Sequence, residues 1–254
     1  MTVSTPETKP HPSATTERPD FGFALSAGVL LALNAGFINA IGLLSLFNLA
    51  VSHVTGSTSN LGTAIARGDL SQVGTLTLVI VSYFTGNVIS GFLVNDEKLN
   101  PGHRRRYGLV LLVQAILLVA AIWFFKHERI LANYAMAVAC GLQNGMATRY
   151  SGATVRTSHM TGIVTDLGIL FGQRMRGKSV SLWRVQLLSA LFAAFLCGGI
   201  LAGIVFQSWG YRALWISVFG TAAAGLSYSS YYLFAWLLGL GAREKGGTNG
   251  QTKS

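Results

Sequence analysis

The chain has 254 residues, of which 51% are hydrophobic and only 11% are charged, and its formal net charge is +10. Soluble proteins carry about 25% charged residues, so this composition excludes an ordinary soluble domain and indicates a membrane protein. The basic residues stand in short segments beside apolar runs, which excludes a nucleic-acid-binding surface and is typical of cytoplasmic loops in membrane proteins.

The two ends of the chain are polar. Residues 1–20 are rich in Thr, Pro and Ser and predict a disordered cytoplasmic tail, and residues 242–254 predict a second one. The first twenty residues contain no short apolar stretch that ends in a small-residue cleavage site, so we expect no signal peptide.

Six apolar runs follow one another along the chain, each of about the length that a bilayer requires. They are 22–47, 73–94, 107–125, 130–148, 185–206 and 211–240. Several of them are apolar on all sides, which is typical of helices that face lipid. The run at 130–148 differs because it carries Gln143 and Asn144.

One polar motif occurs twice between these runs. Ser52-His53-Val54-Thr55-Gly56 is matched by Ser158-His159-Met160-Thr161-Gly162. The two histidines are 106 positions apart, and Asn39 and Asn144, which precede the motifs, are 105 positions apart. The nearly constant spacing predicts a duplicated protein whose two halves meet near the middle of the membrane.

The first repeat is expected at 21–126 and the second at 127–241. The motif segments 51–66 and 158–173 are too polar to face lipid, so we expect half-helices that enter and leave on one side. The result is an all-α polytopic membrane protein with six full spans, two polar half-helices and inverted repeats. If both motif segments cross the membrane, there are eight spans and parallel repeats. The distribution of Lys and Arg favours six spans, with both termini in the cytoplasm.

Polar residues around the two motifs are candidates for binding a solute in the membrane. Histidine can change its charge near neutral pH. Glycine permits unusual backbone angles, and a Ser or Thr before a helix accepts bonds from its free N–H groups. Each motif is therefore expected to open a half-helix whose positive end attracts an anion or a polar group. The candidate solute-binding residues are Asn39, Ser52, His53, Thr55, Gly56, Asn60, Gln143, Asn144, Ser158, His159, Thr161, Gly162 and Asp166.

Structural roles stay open for several of these residues. Asn39 and Asn144 are equally suited to hydrogen bonds between helices or to the motif that follows each of them. Either motif can be a helix cap without a ligand. Gly36 and Gly141, which stand at matching places before the motifs, are suited to close helix packing.

Asp166 is the acidic residue within the motif segments, and its counterpart in the first segment is Asn60. A carboxylate at this position is expected to exchange protons or to pair with His53, His159 or Arg156.

The stretch Gly36-Phe37-Ile38-Asn39-Ala40-Ile41-Gly42, followed by Ser-His-x-Thr-Gly and then Leu-Gly, resembles the YoaK-like family of bacterial multi-pass membrane proteins. The likeness extends from about residue 21 to residue 241. The family is a domain of unknown function, so the resemblance implies an inner-membrane location and a transport role without a substrate.

The sequence contains no nucleotide-binding glycine loop, nucleophile elbow or His-Glu-x-x-His pair, so we expect no enzyme, no cofactor and no bound metal. The leading hypothesis is a secondary transporter or facilitator of a small polar or anionic solute, with protons coupled through His53, His159 and Asp166. A passive channel, a membrane scaffold and an intramembrane enzyme remain alternatives. The expected partners are the lipid bilayer, the solute and protons, with no nucleic acid, and glycine-rich helix faces permit a homodimer.

Overall fold

The computed structural model describes residues 21–94, 101–150 and 156–237, so the tails expected at 1–20 and 242–254 lie outside the described residues. The described residues form eight α-helices and no strand, which confirms the all-α class. The helices are α1 Phe21–Leu44, α2 Val54–Arg67, α3 Leu70–Leu93, α4 Pro101–Lys126, α5 Leu131–Tyr150, α6 Met160–Met175, α7 Leu182–Trp209 and α8 Leu214–Leu237.

Each of the six apolar runs forms one long helix, and each motif segment forms a short one, of 14 residues in α2 and 16 in α6. The first run was expected to continue to residue 47, but α1 ends at Leu44. The chain turns there because the Ser45 hydroxyl donates to the Gly42 carbonyl at 2.7 Å and Asn48 adopts a positive φ of 48°. Asparagine tolerates this left-handed conformation better than most residues.

A tight turn joins α2 to α3. Gly68 ends α2 with a φ of 70°, a conformation that costs glycine little. Asp69 then begins α3, because its side chain accepts a hydrogen bond from the Gln72 backbone N–H at 3.0 Å. With so short a connection, α2 packs back against the beginning of α3.

The long helices pack in pairs, and α1 lies along α7 in the same direction. Ala32 in the first half of α1 packs in one cluster with Leu188 in the first half of α7. Ile41 near the end of α1 packs in another cluster with Ala202 in the second half of α7. Early residues therefore meet early residues, and late residues meet late ones.

The helices α3 and α5 pair in the same parallel manner. Val79 of α3 shares a cluster with Met136 of α5, whereas Leu142, farther along α5, shares the next cluster with Val94 at the end of α3. The pair α4 and α8 is antiparallel, because the Tyr107 and Tyr228 rings meet at one end and Phe125 shares a cluster with Leu214 at the other. These clusters give the bundle two faces.

We call the face at which α1, α4 and α7 begin the N-terminal face. The other face, at which α3, α5 and α8 begin, is the opposite face. The clusters support this division, since the beginning of α5 and the end of α4 share the cluster that holds the end of α1. The end of α5 and the beginning of α4 share a separate one.

Glycines allow the paired helices to approach closely. A Cβ atom at Gly36 would overlap the carbonyl oxygen of Phe195, and one at Gly141 would overlap that of Tyr83. Two further glycines make the reciprocal contacts: Gly198 with Leu33, and Gly86 with Val138. Small residues at such crossings allow backbone contact, which is how helices associate within lipid.

Among the described residues, four segments are long and apolar enough to cross a membrane, which identifies a membrane protein. They are Leu25–Leu44, Leu70–Leu93, Arg106–Lys126 and Leu182–Ser230, the last of which contains α7 and most of α8. The run expected at 130–148 is a helix but is not one of these segments. The reason is that polar residues lower the hydropathy of α5, and two of them, Asn133 and Gln143, are buried against other helices.

Candidate functional site

The two motifs have the same local backbone geometry. His53 and His159 occupy the N-cap positions of α2 and α6, with φ and ψ of −95° and 66° for the first and −92° and 60° for the second. Neither side chain makes a capping hydrogen bond. The expectation that a Ser or Thr precedes each helix as its cap is therefore wrong: Thr55 and Thr161 already lie in the first helical turn.

In both motifs the imidazole ring lies over the glycine three residues later. A Cβ atom at Gly56 would overlap Cε1 and Nδ1 of His53, and one at Gly162 would overlap Cδ2 and Nε2 of His159. Both glycines lie inside helices, and the positive φ values of the described residues fall elsewhere. The expectation of an unusual backbone angle is thus wrong. The glycines leave room for the ring on the first helical turn.

The first motif is anchored on α1. The Asn39 side-chain oxygen accepts a hydrogen bond from the Ser52 backbone N–H at 3.0 Å and another from the Ser52 hydroxyl at 2.9 Å. Both residues are buried, and the preceding residue, Val51, packs in the same apolar cluster as Ile38. Of the roles left open for Asn39, the bond to its own motif is the one that the structure contains.

The second motif is anchored through a buried amide cluster centred on Gln143. The Gln143 Oε1 accepts from Asn34 Nδ2 at 2.9 Å and from Gln114 Nε2 at 2.8 Å. Its Nε2 donates to the Leu31 carbonyl at 2.8 Å and to Thr157 Oγ1 at 3.4 Å. The side chain thus joins α1, α4, α5 and the residue before the motif, and all its hydrogen-bonding positions are in use.

Ser158 is held by α3 and not by the asparagine that precedes its motif. Its Oγ lies 3.3 Å from the Tyr83 hydroxyl. Asn144, which matches Asn39, has a buried side-chain oxygen that finds no hydrogen-bond partner among the described residues. The second motif is therefore anchored by different partners from the first.

The motifs reach similar depths from opposite faces. Ser52 lies at the level of Asn39 on α1, to which it is hydrogen-bonded. Thr157 lies at the level of Asn34 on α1, because Gln143 is hydrogen-bonded to both residues. Five residues of helix separate these levels, about 7.5 Å along α1. From there α2 returns to the opposite face and α6 to the N-terminal face, because short turns join them to α3 and α7.

The remaining candidates lie on the exposed sides of the short helices. His53, Thr55, His159 and Thr161 are exposed, and so is Asn60. The carbonyls of the two threonines accept bonds from hydroxyls one turn later, at 3.2 Å in α2 and 2.9 Å in α6. Four of these side chains stand at or beside a helix start that points into the bundle, while Asn60 lies farther along α2.

Asp166 pairs with Arg184 across the turn between α6 and α7. The distance from Arg184 Nη2 to Asp166 Oδ2 is 3.0 Å, and both side chains are nearly half exposed, at 48% and 42%. The expected partners His53, His159 and Arg156 are not those seen. The pair fastens α6 to the beginning of α7 instead.

Five residues that the sequence analysis did not select complete the arrangement: Asn34, Tyr83, Gln114, Thr157 and Arg184. Asn34 and Gln114 were detectable as polar residues inside apolar runs, which need partners when buried. Tyr83 and Thr157 carry no such signal. The described residues contain no group of three His, Cys, Asp or Glu side chains that could hold a metal ion.

Comparison with known proteins identifies one relationship. The family model described as a protein of unknown function (DUF1275) matches residues 27–227. No curated protein and no solved structure matches the chain significantly. The matched region contains both motifs, six of the eight helices in full and the larger part of α1 and α8. The chain therefore belongs to the DUF1275 family of unknown function, the group that includes the YoaK-like proteins.

Proposed function

We propose that the chain is a secondary transporter or facilitator that carries a small polar or anionic solute across the bacterial inner membrane. The observation that carries the proposal is the pair of short helices that begin inside the bundle, about 7.5 Å apart along α1. Irregular backbone at such depth is tolerated only where protein shields it or where it lines a water-filled cavity. Transporters commonly build their binding sites from interrupted helices of this kind.

Six full spans and two half-helices in inverted repeats are part of the proposal. With 14 and 16 residues, α2 and α6 are about 21 and 24 Å long, short of a hydrocarbon core of about 30 Å. The first three long helices begin at alternating faces, and the last three do so in the reverse order. The reciprocal glycine contacts support the same symmetry, because Gly36 and Gly141 are 105 positions apart and their partners are 112 apart.

The charge distribution supports a cytoplasmic N-terminal face. Basic residues at or near this face include Arg104, Arg105, Arg106, Arg149, Arg174, Arg176, Lys178 and Arg184. Those near the opposite face are Arg67, Lys126, Arg129 and Arg212. Positive residues in short loops concentrate on the cytoplasmic side. Since α1 begins and α8 ends at the N-terminal face, both termini are proposed to be cytoplasmic.

Within the proposed site, the candidate residues divide into two roles. The first-turn N–H groups of α2 and α6 donate no bond to the cap side chains, so each helix start carries partial positive charge toward the bundle interior. This suits an anion or the oxygen of a polar solute. His53 and His159 stand beside these starts and offer sites for proton coupling. Asn39, Ser52 and Gln143 hold the motifs in position.

Uptake into proteoliposomes tests the proposal. Labelled anions, amino acids and nucleobases are offered with and without an inward proton gradient. We expect saturable uptake of one class, and loss of that uptake to background in the double variant His53→Ala/His159→Ala. The matched control is His127→Ala, an exposed histidine in the turn after α4, which is expected to keep full uptake.

The other outcomes are equally informative. Flux that does not saturate and ignores the proton gradient identifies a passive channel. No flux for any class overturns the transport proposal and favours a scaffold or an intramembrane enzyme. Full uptake by the double histidine variant shows that the two motifs are not the solute site.

A further inference from the structure

We infer that Asn39 and Asn144 act as alternating latches for the two motifs. Asn39 holds the first motif in the state described here. Asn144 holds the second motif in a state of opposite access, in which the first motif is released from Asn39. The inference rests on the proposed transport function, since a carrier needs two states that expose one site to opposite faces.

The first observation is a bond that exists in one half and is absent from the other. The Asn39 oxygen accepts both the N–H and the hydroxyl of Ser52. The matching oxygen of Asn144 is buried and has no partner in the part of the chain that the structure describes. A buried acceptor without a partner is unfavourable, and such atoms in native proteins call for an explanation. A second state in which Ser158 donates to Asn144 supplies one.

The second observation is that the residues next to Asn144 and Ser158 in the chain already contact each other. The residues directly before them, Gln143 and Thr157, are 3.4 Å apart between Nε2 and Oγ1. In the first half, the residues directly before Asn39 and Ser52 likewise pack in one cluster. The second motif therefore lies beside the turn of α5 that carries its asparagine.

The third observation is that Ser158 is occupied elsewhere. Its hydroxyl meets the Tyr83 hydroxyl at 3.3 Å. The residue that matches Tyr83, 112 positions later, is Phe195, which has no hydroxyl. Tyr83 thus offers the second motif an alternative partner on α3 while Asn144 is empty, and the first motif has no equivalent hydroxyl on α7.

Cysteine cross-linking of the full-length protein in nanodiscs tests the exchange without a substrate. In a Cys140→Ala/Cys197→Ala background, one protein carries Asn144→Cys with Ser158→Cys, and oxidation reports how often positions 144 and 158 meet. We expect a slow cross-link that becomes about tenfold faster when Asn39→Ala is added, as expected for the loss of two modest hydrogen bonds. Ser52→Ala, which removes one of those two bonds, is expected to accelerate it severalfold.

The control is Thr221→Ala, which removes a buried hydroxyl on α8 that bonds within its own helix, and it should leave the rate unchanged. A 144–158 pair that never closes, or that closes at one rate in all backgrounds, overturns the latch model. Ser52→Ala decides the matter if Asn39→Ala prevents folding. The cross-linking rate is measured without a solute, so the two proposals can fail separately. A rate that responds to the first latch without any uptake defeats only the transport proposal. Uptake with a rate that does not respond defeats only the latch model.

Discussion

The two motifs share one backbone shape and differ in what holds them. Their cap histidines agree within a few degrees in φ and ψ, and both rings rest on a glycine one turn later. The first motif, however, is fixed by one asparagine of the preceding helix. The second is fixed by Gln143 and Tyr83, which connect it to four long helices. Local sequence thus sets the shape of a motif, while its position depends on residues elsewhere.

The difference can be traced to two matching positions. Gln143 in α5 corresponds to Ile38 in α1, and Tyr83 in α3 corresponds to Phe195 in α7. Gln143 and Tyr83 make hydrogen bonds to the second motif or to the residue before it. The apolar residues Ile38 and Phe195 make no side-chain hydrogen bond to either motif. The second motif is therefore part of the polar interior of the bundle, whereas the side-chain hydrogen bonds of Ser52 in the first motif go to one helix, α1.

The largest expected effect comes from removing the centre of the polar interior. Gln143→Leu deletes four hydrogen bonds and leaves the buried amides of Asn34 and Gln114 without their acceptor. We expect the free energy of unfolding to fall by about 3 kcal/mol. Unfolding by SDS in mixed micelles, followed by tryptophan fluorescence, measures it. The matched control Ile38→Leu should cost less than about 1.5 kcal/mol. Equal losses in the two variants would contradict the difference between the halves.

The second expected effect separates the two asparagines. Asn39→Ala leaves the buried N–H and hydroxyl of Ser52 unpaired, so we expect a loss of about 2 kcal/mol. Asn144→Ala removes a buried acceptor that has no partner among the described residues, so its free energy of unfolding should not fall. The same mixed-micelle titration measures both. A loss of stability in Asn144→Ala as large as in Asn39→Ala would show that the oxygen is already bonded.

Much of the fold was predictable because its signals are local. Apolar length located the six long helices, and the polar motif segments 51–66 and 158–173 coincide with the two short ones, α2 and α6, to within three residues at each end. The resemblance to the YoaK-like family was confirmed by the family match over 27–227. These features depend on composition within a window of about twenty residues and on repeated spacing, both of which can be read directly from the chain.

The contacts between helices were not predictable from the same signals. Nothing in the sequence pairs Tyr83 with Ser158, because they are 75 positions apart and neither residue type is unusual where it stands. Asp166 was matched with the wrong partners, since a sequence does not show that the turn after α6 brings Arg184 beside it. The role of Gly56 was misread for a similar reason: its neighbour is a ring, which spacing alone does not reveal.

A smaller effect tests the feature that the two motifs share. Gly56→Ala and Gly162→Ala each improve helix propensity by about 1 kcal/mol, and each displaces an imidazole ring at a similar cost. We therefore expect nearly unchanged stability in both, within about 1 kcal/mol. The ring shifts are expected to appear in NMR spectra of ¹³C-labelled histidine. Gly62→Ala, which has open space at its Cβ position, is the control and should leave the imidazole signals in place.

The smallest expected effect concerns the ion pair that only the second half has. Asp166 and Arg184 correspond to Asn60 and Gln72 in the first half, which are uncharged. Because both charged side chains are nearly half exposed, Asp166→Asn should lower the free energy of unfolding by less than about 0.5 kcal/mol.

If the loss of stability is larger, its salt dependence shows whether the ion pair faces water or is shielded from it. For a pair that faces water, the difference between Asp166→Asn and the parent protein should disappear near 1 M salt, where screening acts within about 3 Å. The reciprocal variant Asn60→Asp/Gln72→Arg places the same two charges in the first half. If α2 meets α3 as α6 meets α7, we expect its free energy of unfolding to rise by about as much as Asp166→Asn lowers it. A loss well above 1 kcal/mol that persists in high salt would mean that lipid or a second chain shields the pair. The two halves would then differ at their outer ends as much as they do at their motifs.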